Sequence, residues 1–200
     1  MLVATFDIGT TAVKAVAVRD DGEPVFTGSQ VLHTIEKNGF KEQDPEEWYS
    51  AFCTLSHALT GKIPAQEISA LIFSGQMQDV IPVGSDRRAL GNAILYSDGR
   101  AGAQAETIEN AVGSDTITAV TGNHFDGSMP LAKILWLKEN EPEIYTQTTA
   151  FLISSKDYVV AKLTGNFIGD MTACATAGAM DLEYKTWSQC LINGAGLDIN

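Results

Sequence analysis

Basic residues are scarce in this chain, with 13 lysines and arginines against 25 aspartates and glutamates in 200 residues and a net charge of −12. So acidic a surface repels nucleic-acid phosphates and anionic lipid, so neither nucleic acid nor membrane is expected as a partner. It leaves a nucleotide open, because a phosphate site needs only a local cluster of N–H donors, a metal ion or one cation. Cysteine is rarer still. Cys53, Cys174 and Cys190 are odd in number and lack CxxC spacing. That excludes a disulfide framework or zinc site and reads as reduced thiols of a cytoplasmic protein. His33, His57 and His124 are scattered without ligand spacing, so no metal is expected on them. No apolar run approaches a membrane span, and Met1 leads almost directly into an apolar strand without a leader pattern. Repeats, low-complexity tracts and linker-like composition shifts are missing too.

What remains is ordinary globular composition, 44% hydrophobic and 19% charged, in a chain long enough to bury a core. Leu2 to Phe6, Val13 to Val18 and Pro24 to Val31 read as a strand meander, the last two joined at the Asp20-Asp21-Gly22 turn. Asp44-Pro45-Glu46-Glu47 then supplies an N-cap, a first-turn proline and acids. Trp48, Phe52, Leu55 and Leu59 continue at helical spacing until Gly61. Strands are expected at Ile68 to Phe73, Val80 to Val83 and Ala93 to Tyr96. Helices are expected from Ala101 to about Val112, from Leu131 to Asn140 and from Ser154 to Leu163. Thr121 to Pro130 is too irregular for an element. Strands followed by alternating helices indicate an α/β fold.

One turn stands out chemically. Asp7-Ile8-Gly9-Thr10-Thr11 places a carboxylate, a glycine and two hydroxyls at the end of a buried strand, with Lys14 on the next. Glycine admits close approach of a phosphate, and turn N–H groups can face its oxygens. A carboxylate beside them makes sense if it holds Mg²⁺, which bridges to phosphate. Read alone, the turn is equally one that uses Asp and Gly because turns do. Asp98 and Arg100 are open between a helix cap with a surface charge and a ligand contact. Lys133, on an apolar helix, reads as structural, and Trp48, Trp136 and Trp187 as core anchors.

Taken together, these motifs resemble the FGGY carbohydrate kinases of the actin and sugar-kinase superfamily. Asp7-x-Gly9-Thr10-Thr11 with Lys14 is similar to the superfamily's first phosphate motif. Gln43-Asp44-Pro45-x-x-Trp48 resembles the family's helix start, and Gly75-Gln76-Met77 the Gly-Gln-Met of its xylulose-kinase branch. Ile94-Leu95-Tyr96-Ser97-Asp98-Gly99-Arg100 is similar to an Ile-Leu-Trp-x-Asp-x-Arg strand end. Thr121-Gly122, Lys133 to Trp136, Lys156-Asp157-Tyr158, Leu163-Thr164-Gly165, Gly169 to Thr172 and Asp181-Leu182 follow in family order.

The resemblance implies a ribonuclease H-like domain, with a mixed five-stranded sheet flanked by helices, over residues 1–200. It implies ATP and Mg²⁺ as cofactors and phosphorylation of a sugar hydroxyl. A ketopentose such as xylulose comes first, with ribulose, glycerol or gluconate as alternatives. Asp7 would act on the metal and phosphoryl group. Gly9, Thr10, Thr11 and Lys14 would surround the ATP phosphates, and Gln76, Met77, Gln78, Asp98 and Arg100 would line the sugar site. Ser128 falls where glycerol kinases put a substrate-contacting tyrosine. Two departures concern the sugar: Gln78-Asp79 replaces the branch's His-Gly, and Tyr96 replaces a tryptophan. Family members are more than twice this length, so the chain is expected to be the N-terminal part of such a kinase. The catalytic base and a C-terminal ATP-binding domain would lie beyond residue 200. An ATP switch protein would share the Asp7 turn but not the Gln76 segment. A sugar- or ATP-binding regulatory module is the other alternative, and pairing with a second copy stays open.

Overall fold

The computed structural model describes residues 1–198; Ile199 and Asn200, the last two of the expected domain, lie outside the described residues. The fold begins with β1 (Leu2–Ile8), β2 (Ala12–Arg19) and β3 (Pro24–Val31), an antiparallel meander in the expected places. Alternation decides its faces. Leu2, Ala4, Phe6 and Ile8 of β1 are buried on one side, whereas Asp7 emerges on the other. A short hairpin, β4 (Ile35–Lys37) and β5 (Phe40–Gln43), leads into α1 (Pro45–Thr60). Asp44 caps this helix by accepting from the Glu46 N–H at 2.9 Å, with Pro45 in the first turn. Leu55 of α1 seats against Gly28 of β3, where a Cβ would come within 2.9 Å of its Cδ2.

The chain then runs through β6 (Ile68–Gly75), which lies parallel to β1, and straight on through Gln76 into β7 (Met77–Val83). There it meets β8 (Ala93–Ile94). The helices α2 (Gly102–Val112), α3 (Ser114–Thr121), α4 (Pro130–Asn140) and α5 (Pro142–Gln147) follow. Next come β9 (Ala150–Ser154) and α6 (Ser155–Thr164). The described chain closes with α7 (Met171–Ala175), β10 (Met180–Asp181), β11 (Thr186–Trp187) and α8 (Gln189–Gly194). No helix of the described residues is long and apolar enough to cross a membrane.

The α/β class, the mixed sheet and the flanking helices are as expected. The strand count of that sheet differs. It holds four strands in the order β3-β2-β1-β6, and a separate antiparallel sheet takes five in the order β4-β5-β8-β7-β9. The division falls at Gln76. Ser154, at the end of β9, donates its hydroxyl to the Gln76 carbonyl at 2.7 Å, and β9 pairs along β7 instead of joining β6. Two cores result. One packs α1 and α6 under β1 and β2 around Phe6, Ile8, Val13 and Trp48. The other gathers α2, α4 and α8 around Val80, Ile94, Ile108 and Leu135. Tyr158 and Lys162 of α6 tie the first core together, both donating to Glu46 Oε1, at 2.6 and 2.8 Å. Tyr158 of the family-like Lys156-Asp157-Tyr158 stretch is therefore part of the architecture.

The tightest joint lies where β6 ends. Ser155 at the start of α6 donates its hydroxyl to the Ile8 carbonyl at 2.6 Å. A Cβ on Gly75 would meet Ser155 Oγ at 2.5 Å, the Lys156 nitrogen at 3.0 Å and the Ile8 oxygen at 3.1 Å. Two of these atoms are backbone and cannot step aside. Gly75→Ala is expected to lower stability by about 1–3 kcal/mol in urea unfolding. Gly99→Ala, whose Cβ would meet nothing within 4 Å, is expected to leave the midpoint unmoved. Equal midpoints for the two variants would contradict the joint.

Candidate functional site

Strand register lines up one polar row across the mixed sheet. Asp7 on β1 pairs with Lys14 on β2 and with Ser74 on β6, and Lys14 in turn pairs with Ser29 on β3. All four are exposed and lie on the face away from α1 and α6. Directly opposed side chains in an antiparallel pair stand roughly 5 Å apart at Cβ, so Lys14 springs from the strand position directly across from Asp7. Ser74 Oγ donates to Asp7 Oδ1 at 2.7 Å. The turn itself is narrow, the Gly9 N–H closing on the Ala12 carbonyl at 3.2 Å. A Cβ on Gly9 would crowd that carbonyl at 3.2 Å and sit 3.5 Å from Asp7 Oδ2. With a hydrogen there instead, the second carboxylate oxygen borders open space.

This donor set fits one kind of cation. No cluster of three or more His, Cys, Asp or Glu that could hold a metal exists among the described residues. A cation at Asp7 would therefore complete its shell with water and phosphate oxygens. Mg²⁺ binds in that manner in nucleotide sites.

The Gln76 segment is wired to the same turn. Thr10 Oγ1 donates to Gln76 Oε1 at 2.7 Å, and Gln76 Nε2 donates to Gln43 Oε1 at 3.0 Å. Gln43 is fully buried. Its Oε1 also accepts from Trp48 Nε1 at 2.9 Å, and its Nε2 donates to the Thr10 carbonyl at 2.6 Å and to Thr34 Oγ1 at 2.9 Å. All four hydrogen-bonding positions of that amide are filled. Trp48 is a core anchor, as expected, and also a donor in this network.

Beyond Gln76 the backbone is unusual. Gln78 lies in the left-handed region at φ 63°, where the β7–β9 register shifts between Met77 and Ile81. Its side-chain Nε2 approaches Met129 Sδ at 3.9 Å, and Met77 is exposed. Ser128 precedes Met129 in the same loop, its N–H held by Asp126 Oδ1 at 2.7 Å. Beneath the segment lie two buried titratable groups, Asp79 and Lys133. Burial pushes the Asp79 carboxyl up to about 8, the Tyr96 N–H and Lys133 opposing it. Burial likewise pulls the Lys133 ammonium down to about 8 against the attraction of Asp79 and Asp98.

Asp98 and Arg100 turn inward. The Arg100 side chain is 1% exposed and contacts Asp98 Oδ2 at 2.7 Å and Glu42 Oε1 at 2.8 Å. Its guanidinium stacks on Phe40 at 3.8 Å and on Trp136 at 4.8 Å from the ring centroids. Asp98 also accepts from the Lys41 and Arg100 N–H groups, at 2.6 and 2.9 Å. The cap-and-surface-charge reading is corrected on both counts. Helix α2 starts at Gly102 with Ala101 at its N-cap position, and Arg100 is buried by the rings that flank it.

The structure thus brings Asp7, Gly9, Thr10, Lys14 and Gln76 together at the end of β1, with Thr11 exposed in the same turn. Met77 and Gln78 follow on β7, and Asp98 with Arg100 forms a separate buried pair. Gln43 was missed as a site residue. Its signal was its place immediately before the helix cap in the Gln-Asp-Pro motif, which pointed to α1 and not to Gln76.

A model of the FGGY family of carbohydrate kinases, N-terminal domain, matches residues 2–200. The xylulose kinase of Bacillus subtilis (strain 168) is 32% identical over 198 residues, covering 98% of this chain and 39% of that protein. A ligand-bound xylulose kinase from Lactobacillus acidophilus superposes with a TM-score of 0.89 at 31% identity, over 98% of this chain and 40% of its own. Gluconate kinase from the same organism gives 0.88 at 31% identity, over 99% and 40%. The chain spans about two fifths of the length of these relatives.

Burial works against the Asp98 charge, but the Arg100 guanidinium and the Lys41 and Arg100 N–H groups outweigh it and hold the carboxyl below its ordinary value. Such a group contributes stability in full above the unfolded value of about 3.9 and loses it as pH falls through the folded value. The stability gap between the parent and Asp98→Asn is therefore expected to be present at pH 7 and to shrink below about pH 4. A gap of constant size across urea titrations at these pH values would refute the charge-based account.

Proposed function

The chain belongs to the FGGY family of carbohydrate kinases, matching its N-terminal domain, and from that premise we propose that it serves an ATP-dependent kinase acting on a sugar hydroxyl, xylulose before other sugars. The observation that carries the reading is the hydrogen-bonded chain Thr10–Gln76–Gln43, which joins a phosphate-type turn to the segment expected to hold the sugar. An ATP switch protein needs the first of these and has no use for the second.

In this reading Asp7 holds Mg²⁺, and the turn Gly9-Thr10-Thr11 with Lys14 receives the phosphates. The metal, when bound, supplies charge neutralisation for the transferred phosphoryl group. The residues of this chain bind and orient. Gly9 admits close approach, Lys14 adds a cation beside Asp7, and Ser74 fixes one carboxylate oxygen so that the other faces the ligand. Gln76, Met77 and Gln78 offer amides and a thioether to a polyhydroxylated substrate. Asp98 and Arg100 enter as the frame beneath that segment. None of the described residues is assigned the general base.

Among the described residues no free cation stands at the segment Gln76 to Gln78, which supports a neutral sugar over a sugar acid. Arg100 is committed to Asp98 and Glu42, and Lys133 is buried against backbone carbonyls. Gluconate, whose carboxylate calls for such a cation, is the second reading because of the equal likeness to a gluconate kinase.

ADP release by the full-length protein with ATP and Mg²⁺, across xylulose, ribulose, glycerol and gluconate, is expected to be fastest with xylulose. Fastest turnover on gluconate would overturn the sugar, and ATP binding without turnover on any would overturn the kinase reading. Asp7→Ala is expected to cut turnover on the order of a thousandfold while leaving sugar affinity within about twofold. Parent-like turnover in that variant removes the role given to Asp7.

A further inference from the structure

We propose that Lys133 is a positioning residue for the sugar side of the site, its ammonium clamping Gln78 in a left-handed backbone conformation so that Met77 and Gln78 are presented to the substrate. The clamp stands on geometry; what the two side chains meet rests on the sugar-kinase reading above.

Four non-glycine residues of the described chain have positive φ. Asn38, Arg87 and Lys185 are exposed and lie in turns. Gln78 alone among them is in a strand and partly buried. It sits at the irregular step of β7, where the pairing with β9 skips from Met77 to Ile81. At such a bulge the ladder is interrupted and a side chain is re-aimed. The interruption leaves a strand carbonyl in need of a donor, because a buried backbone oxygen without a partner is costly. Lys133 Nζ is that donor, at 3.0 Å from the Gln78 oxygen, and it also donates to the Leu95 oxygen at 2.7 Å.

A methionine would fill the same volume without the desolvation cost of a cation, and lysine is almost never fully buried unless paired. Here the ammonium joins two carbonyls, one from β7 and one just after β8. Asp79, the next residue along, is a buried carboxyl. One of its oxygens takes the Tyr96 N–H at 3.1 Å, and the other has no hydrogen-bond partner among the described residues. Helix α4 and its N-cap residue both reach Gln78. Lys133 takes its carbonyl, and Met129, four residues earlier, contacts its side-chain amide. Main chain and side chain of Gln78 are therefore referred to the same helix start. Nothing in the phosphate turn touches this helix end through Lys133, so a disturbance here falls on the sugar and spares ATP.

Lys133→Met in the full-length protein tests this, read by amide hydrogen exchange and by KM for each substrate. Exchange over residues 76–80 is expected to quicken about tenfold with β1 and α1 unchanged, and the KM for xylulose to rise about tenfold with that for ATP within twofold. Should the single variant fail to fold, Asp79→Asn with Lys133→Met removes both buried titratable groups together and is read in the same way. Parent-like exchange over residues 76–80 in a folded variant overturns the clamp. Quickened exchange with equal rises in both KM values overturns the link to the sugar. A parent without sugar-dependent ADP release overturns the sugar half, and the exchange measurement still decides the clamp.

Discussion

The amide of Gln43 holds both halves of the site in register. It has two lone-pair directions and two hydrogens, and each is met: Trp48 and Gln76 on the oxygen, Thr34 and the Thr10 carbonyl on the nitrogen. Burial makes every one of those bonds consequential, since a group left unpartnered there loses water as well. Through this one side chain the first turn of the chain, the start of α1 and the junction between the two sheets share a single arrangement. Displacing Gln43 would free Trp48 from its anchor and Gln76 from its orientation together. The nearby Gly75 joint keeps that junction rigid from the other side, with Ser155 and the Ile8 carbonyl closed over a residue that has no side chain.

Much of this was legible in the sequence, for identifiable reasons. Asp7 and Lys14 are seven residues apart in a tight antiparallel pair, so turn chemistry alone brings them together. The capped start of α1 is written in Asp44-Pro45-Glu46. The bond between Gln43 and Gln76 spans 33 residues and depends on how one sheet bends into another, which no local pattern encodes. The short elements β4, β5, α5, α7 and β10 escaped because two to six residues cannot establish a period. Asp98 and Arg100 were recognised as a pair worth noting, but their spacing could not tell that Phe40 and Trp136 would close over the guanidinium. Lys133 read as structural because an apolar helix reveals which face is inward and says nothing about which carbonyls wait there.

Charge is distributed with a purpose that the net value of −12 conceals. Arg100, Lys133 and Lys156 are side chains of the interior or near it, each held by carboxylates or carbonyls. Lys14 is exposed beside Asp7, where a polyanion would need it. Elsewhere the acidic surface discourages phosphates from settling, so under the proposed reading the attraction for a nucleotide would be concentrated at one turn.

The direction of the Thr10 hydrogen bond has a chemical corollary. Because Gln43 accepts from the Gln76 nitrogen, the Gln76 oxygen must face Thr10, and the Thr10 hydroxyl must give up its only proton to it. That hydroxyl then shows lone pairs to the open side of the turn. It can accept from a hydrating water or approach a cation, but it cannot donate to an anionic oxygen without breaking the wire. The polarity of a solvent-facing oxygen is thus decided by an indole N–H and a buried amide on the far side of the sheet.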